Sequence, residues 1–66
     1  MWTVVYLAHN STDAEMIKEI LSAEGVLVML RPAGIPHFGA GGTFEVLVPE
    51  SEAESAQEIL RGADPI

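Results

Sequence analysis

The sequence predicts an α+β domain with the element order βαββα. Three short segments, Trp2 to Ala8, Val26 to Leu30 and Phe44 to Val48, are rich in β-branched and aromatic residues and have strand length. Two further segments carry apolar residues at helical spacing, each behind a start that can cap a helix. One Pro- and Gly-rich stretch, 31–43, separates the second strand from the third.

The first strand, Trp-Thr-Val-Val-Tyr-Leu-Ala, has a blurred alternation. Simple period two sets Trp2, Val4 and Tyr6 on one face and Thr3, Val5 and Leu7 on the other, so both faces are largely apolar. The following His9-Asn10-Ser11-Thr12 is a turn, and Thr12-Asp13-Ala14-Glu15 fits a capping box, in which hydroxyl and carboxylate satisfy the first backbone donors of a helix. That helix is expected to run to about Glu24. It should bury Ala14, Ile17, Ile20 and Leu21 and wet Glu15, Lys18, Glu19 and Ser22, with Gly25 as its C′ residue. The second strand, Val-Leu-Val-Met-Leu, is apolar on both faces, and Arg31 marks its end. In the third strand Phe44, Val46 and Val48 oppose Glu45 and Leu47. The last helix starts after Pro49, with Ser51 and Glu54 as a second capping box. Ala53, Ala56, Ile59 and Leu60 form its buried stripe, and Gly62 stops it.

A strand–helix–strand crossover makes the first two strands parallel, and a hairpin makes the third antiparallel to the second. The third strand can then sit between them, in sheet order 2-3-1 with both helices on one face. The sheet is antiparallel or mixed. This is the split βαβ, or ferredoxin-like, arrangement. Residues 1–62 are expected to form one such domain, with 63–66 as a short tail. The fourth strand of that arrangement is missing. The open sheet face or the edge of the first strand is therefore expected to be covered by a second copy, giving a dimer or trimer. The chain's 66 residues favour such help, because a chain this short is marginal alone and cysteine is absent.

The net charge of −7 comes from ten carboxylates against Lys18, Arg31 and Arg61. That field repels phosphate backbones and anionic lipid, so nucleic acid and membrane surfaces are not expected partners. The longest apolar run is far below the ~20 residues of a spanning helix. The N-terminal residues lack the basic region of a signal peptide, and a soluble, cytoplasmic protein is expected.

The predicted topology gathers His9, Arg31, the start of the first helix and the 31–43 loop at one end of the sheet, and returns Arg61 there. An anion site would use the helix N–H groups at Ser11 and Thr12, Arg31, His37, and a nest at Gly39, Gly41 and Gly42. It matches neither the P-loop nor the dinucleotide fingerprint. Each residue also has a plainer reading. The glycines can simply form a hairpin tip, and Arg31 can pair with an acidic neighbour. Arg61 can complement the end of its helix, and His9 and His37 can be surface imidazoles. Ile35, Pro36 and Phe38 are either tucked against the sheet end or displayed to a protein partner.

No metal and no cofactor is expected: two histidines and Asp13 are too few ligands for zinc. No catalytic residue is assigned. Cysteine is absent, no serine or lysine stands in a nucleophile motif, and Lys18, the single lysine, lies on the wet face of a helix.

Four segments together resemble a small bacterial family labelled putative prokaryotic signal-transducing protein. They are the opening Trp-Thr-Val-Val-Tyr-Leu-Ala; Asp13-Ala14-Glu15-Met16-Ile17 with its Glu24-Gly25 end; Arg31-Pro32-Ala33-Gly34-Ile35-Pro36-His37; and Val46-Leu47-Val48-Pro49-Glu50. The family is similar in fold to the PII-type nitrogen regulators, ferredoxin-like trimers whose long loop between strands two and three contacts partner proteins. Some relatives carry a glutamate decarboxylase label, which a chain with no lysine pocket cannot support alone and which is read as an inherited error. The resemblance and the residues together imply a non-enzymatic regulatory module that self-associates and recognises a protein partner through the 31–43 loop. The alternatives are a sensor of a small anionic metabolite at the loop end and a non-catalytic subunit of a larger enzyme assembly.

Overall fold

The computed structural model describes residues 1–33 and 42–63. The elements run β1 (Trp2–Ala8), α1 (Ser11–Ala23), β2 (Met29–Pro32), β3 (Phe44–Pro49), a 3₁₀ turn (Glu50–Glu52) and α2 (Ala53–Ala63). The sheet order is β1-β3-β2, and β3 is antiparallel to both neighbours. The βαββα order and the α+β class match the expectation from sequence.

The covered face of the sheet is set by register. Thr3 pairs with Val48, Tyr6 with Val46 and Ala8 with Phe44, while Leu30 pairs with Val46 from the other side. Val46 and Val48 are fully buried against Ile17 and Leu21 of α1 and Ala56 of α2. The predicted stripes therefore hold. Ala14, Ile17, Leu21 and Ala56 are buried; Ile20, Ala53, Ile59 and Leu60 are half-buried.

β1 departs from simple alternation. Val4 pairs with Leu47 and Tyr6 with Val46, so Val5 is an extra residue opposite no partner. A bulge of this kind shifts the alternation by one. Val5 and Tyr6 both pack against the core. By register Trp2, Val4 and Leu7, not Trp2, Val4 and Tyr6, share the other face. The blurred pattern in the sequence is the trace of this bulge.

α1 starts earlier than its Thr12 capping box implies. Asn10 is the cap, its Oδ1 accepting from Asp13 N–H at 2.7 Å. Asn10 and Asp13 have the same spacing as Thr12 and Glu15, and the earlier pair wins because the chain leaves β1 at Ala8 and turns at once. The far end is a Schellman motif. Gly25 donates to the Ser22 carbonyl at 2.9 Å and Val26 to the Leu21 carbonyl at 3.1 Å, with Gly25 at φ +86°. Val26 and Leu21 also share the core cluster, which is the hydrophobic contact that accompanies this motif. Val26 to Val28 are therefore occupied in closing the helix and reaching the sheet. The second strand begins at Met29 and contains Arg31 and Pro32, later than the Val26 to Leu30 expected.

The second capping box does not form at Ser51. Pro49 precedes a 3₁₀ turn with no side-chain cap, and Ser51 is exposed. The Glu50 N–H instead donates to the Met1 carbonyl at 2.7 Å, which ties the chain start to this turn. Gly62 lies inside α2, which continues to Ala63.

Candidate functional site

The site is built on the end of the sheet where β1 and β2 finish. Leu7, Glu45 and Arg31 lie in one cross-strand row, and Ala8, Phe44 and Pro32 in the next. One step further, the Ala33 N–H donates to the Thr43 carbonyl at 2.9 Å. That bond closes the base of the 31–43 segment on a hairpin whose register is fixed by a buried central strand. Gly42 is described and exposed. His37, Gly39, Gly41, Ile35, Pro36 and Phe38 lie outside the described residues, so their assigned roles stay expectations.

Arg31 is engaged within the sheet. Its Nε and Nη2 both donate to Glu45 Oε1, at 2.9 and 2.6 Å. The two residues are cross-strand partners, where opposite charges stabilise a strand pair by a few tenths to about 1 kcal/mol. The plainer of the two readings of Arg31, a pair with an acidic neighbour, is thus what the structure contains. The signal was present in the sequence: counting outwards from position 38 sets Arg31 opposite Glu45.

Ser11 and Thr12 form the exposed first turn of α1, at the same end of the sheet. They do not share a face with Arg31. α1 covers the Val46 and Val48 face, whereas Arg31, Glu45 and Leu47 alternate onto the opposite one. The sheet therefore stands between the helix start and the arginine. His9 follows β1 and is exposed; its N–H points to Asp13 Oδ2 at 3.4 Å, a long contact. Arg61 stands in the last turn of α2, where a cation complements the helix dipole. There it lines a shallow polar hollow with Ala53, Glu54, Gln57 and Glu58.

Among the described residues, no group of three or more His, Cys, Asp or Glu side chains could hold a metal ion. Among the same residues, no helix is long and apolar enough to cross a membrane.

The open face of the sheet is the feature that sequence reasoning assembled incompletely. Trp2, Val4 and Leu7 line up there with Leu47 and Met29, and all three are exposed, at 43, 42 and 56%. Leu47 itself is only 3% exposed; its register partners are Val4 and Met29 on the two neighbouring strands. Leu7 was assigned to the opposite face by the unbroken alternation.

These features define a small split-βαβ domain with one helix-covered face, one open apolar face and a hairpin-borne segment at one end. A family model described as "Putative prokaryotic signal transducing protein" matches residues 2–64, and the chain belongs to that family. Neither a curated protein nor a solved structure matches the chain significantly.

Proposed function

We propose that this protein is a small, non-enzymatic, cytoplasmic regulatory module that self-associates and recognises a protein partner through the 31–43 segment. Family membership supports the signalling class. The observation that carries the choice of a protein partner over an anion is the Arg31–Glu45 pair. The arginine on which the anion reading most depends already has its charge met by a carboxylate. The helix start at Ser11 and Thr12 stands across the sheet from it, which weighs against one site shared by the two. The Ala33–Thr43 bond fastens the base of a segment whose sequence carries Ile35, Pro36 and Phe38. Recognition elements are commonly loops held by a rigid scaffold in this way.

The test is an amide-resolved NMR titration at low salt with inorganic phosphate, nucleotides and small carboxylates, run on the wild type and on Arg31→Ala. A silent panel supports the protein-partner reading. Saturable shifts at His9–Asp13 and 31–43 that vanish in Arg31→Ala would replace it with a sensor of a small anionic metabolite. Turnover of any panel compound by the purified chain would overturn both.

A further inference from the structure

Self-association leaves a choice between the sheet face and a strand edge, and the described structure distinguishes between the two. Both edges are poor places to add a strand. β1 is interrupted by the bulge at Val5. β2 runs only from Met29 to Pro32, and a proline has no N–H to offer a neighbouring strand. Bulges, short strands and prolines are the devices by which edge strands avoid pairing with another chain.

The open face has the opposite character. Trp2, Val4 and Leu7 stand exposed on it, and Leu27, 68% exposed, immediately precedes β2. Their exposed surface amounts to roughly 400–500 Å² per copy, the size of a functional apolar patch on a small protein.

Charge selects the occupant. Apart from Glu45, every carboxylate of the described residues lies on α1 or its caps, on the 3₁₀ turn or on α2. The open face carries one acid, and Arg31 neutralises it. Two copies of a chain with net charge −7 repel across most of their surfaces, since like charges brought together at an interface cost several kcal/mol. They can approach through this face with both acidic helix layers turned outward to water. A two-fold axis needs only one self-complementary patch, which this face supplies. We infer that two copies of this chain pack open face against open face, forming a four-layer sandwich with α1 and α2 on the outside. The inference rests on the self-association reading and adds its surface and symmetry. Burying both patches removes roughly 800–1,000 Å² in total, at or just under the lower limit for a specific assembly, so the dimer is a weak, reversible one.

Sedimentation velocity on the full chain, from low to high micromolar, tests this with Val4→Lys and Leu7→Glu, each checked for native circular dichroism. A wild-type dimer is expected. Each variant should raise the dissociation constant roughly 100-fold or more, as an uncompensated charge carried into an apolar interface does. Lys18→Glu, on the helix layer, should leave it nearly unchanged. The chain has no cysteine, so Val4→Cys and Leu7→Cys supply a second readout that keeps the face apolar. At least one should form an interchain disulfide under mild oxidation, while Ser22→Cys should not. A wild type that stays monomeric at high micromolar overturns self-association itself. A wild-type oligomer unaffected by both charge variants leaves self-association standing and overturns the face. A trimer overturns the two-fold packing.

Discussion

The two faces of one three-stranded sheet are built from the same strands and have opposite fates. On the covered face Val46 and Val48 meet Leu21, Ile17 and Ala56 and are sealed from water. On the open face Leu47, between those two valines in sequence, is buried beside its register partners Val4 and Met29, while Trp2, Val4 and Leu7 stay exposed. Burial on the first face is intramolecular and supplies the hydrophobic free energy of the fold. On the second, Leu47 is buried within the chain, and the surface still exposed on Trp2, Val4 and Leu7 adds nothing to the stability of the isolated chain. With both helices packed on one side, the sheet has intramolecular cover for its Val46 and Val48 face and none from a helix on the other.

The strongest attack on this contrast is at Leu21. Leu21→Ala should cost about 2–5 kcal/mol in urea unfolding at low micromolar concentration, by lost transfer and cavity formation. A 66-residue chain has about 3–10 kcal/mol in total, so much of its stability should go. A cost below about 1 kcal/mol would mean that the helix layer is not the main core. Asn10→Ala sharpens the account of how α1 is held on that face. Loss of the cap should cost about 1 kcal/mol. Thr12→Ala, at the alternative cap, should fall within about 0.5 kcal/mol of wild type, and a reversal of the two would move the helix start.

On the open face, Arg31→Ala should lower stability by about 1 kcal/mol in thermal or urea unfolding, less at high salt, because the arginine side of the pair is more than half exposed. Leu7→Ser should be the mildest change, within about 0.5 kcal/mol when measured on the monomer by dilution. A Leu7→Ser monomer as unstable as Leu21→Ala would abolish the distinction between the faces.

The covered face was readable in the sequence, because Ala14, Ile17 and Leu21 repeat at helical period and Val46 and Val48 at strand period, and burial enforces both. The sheet order followed from connection rules alone. The composition of the open face was not readable. A bulge is one unpaired residue chosen by tertiary pairing, and in an all-apolar run such as Val4-Val5-Tyr6 no polar residue marks where the alternation slips. The start of α1 was ambiguous for a similar reason. Asn10, Ser11 and Thr12 can all cap, and the decision rests on how soon the chain must turn after Ala8. At the site, the sequence placed Arg31 and the helix start correctly at one end of the sheet. Their separation by the sheet depends on which way Arg31 alternates, and that follows from the Glu45 register.

Methyl NMR over a dilution series from millimolar to low micromolar tests the contrast most directly. The methyl resonances of Val4, Leu7 and Leu47 should shift with concentration along one binding curve, while those of Leu21, Val46 and Val48 hold still. Shifts confined to Leu21, Val46 and Val48, or no shift anywhere across the series, would contradict the assignment of one face to folding and the other to association.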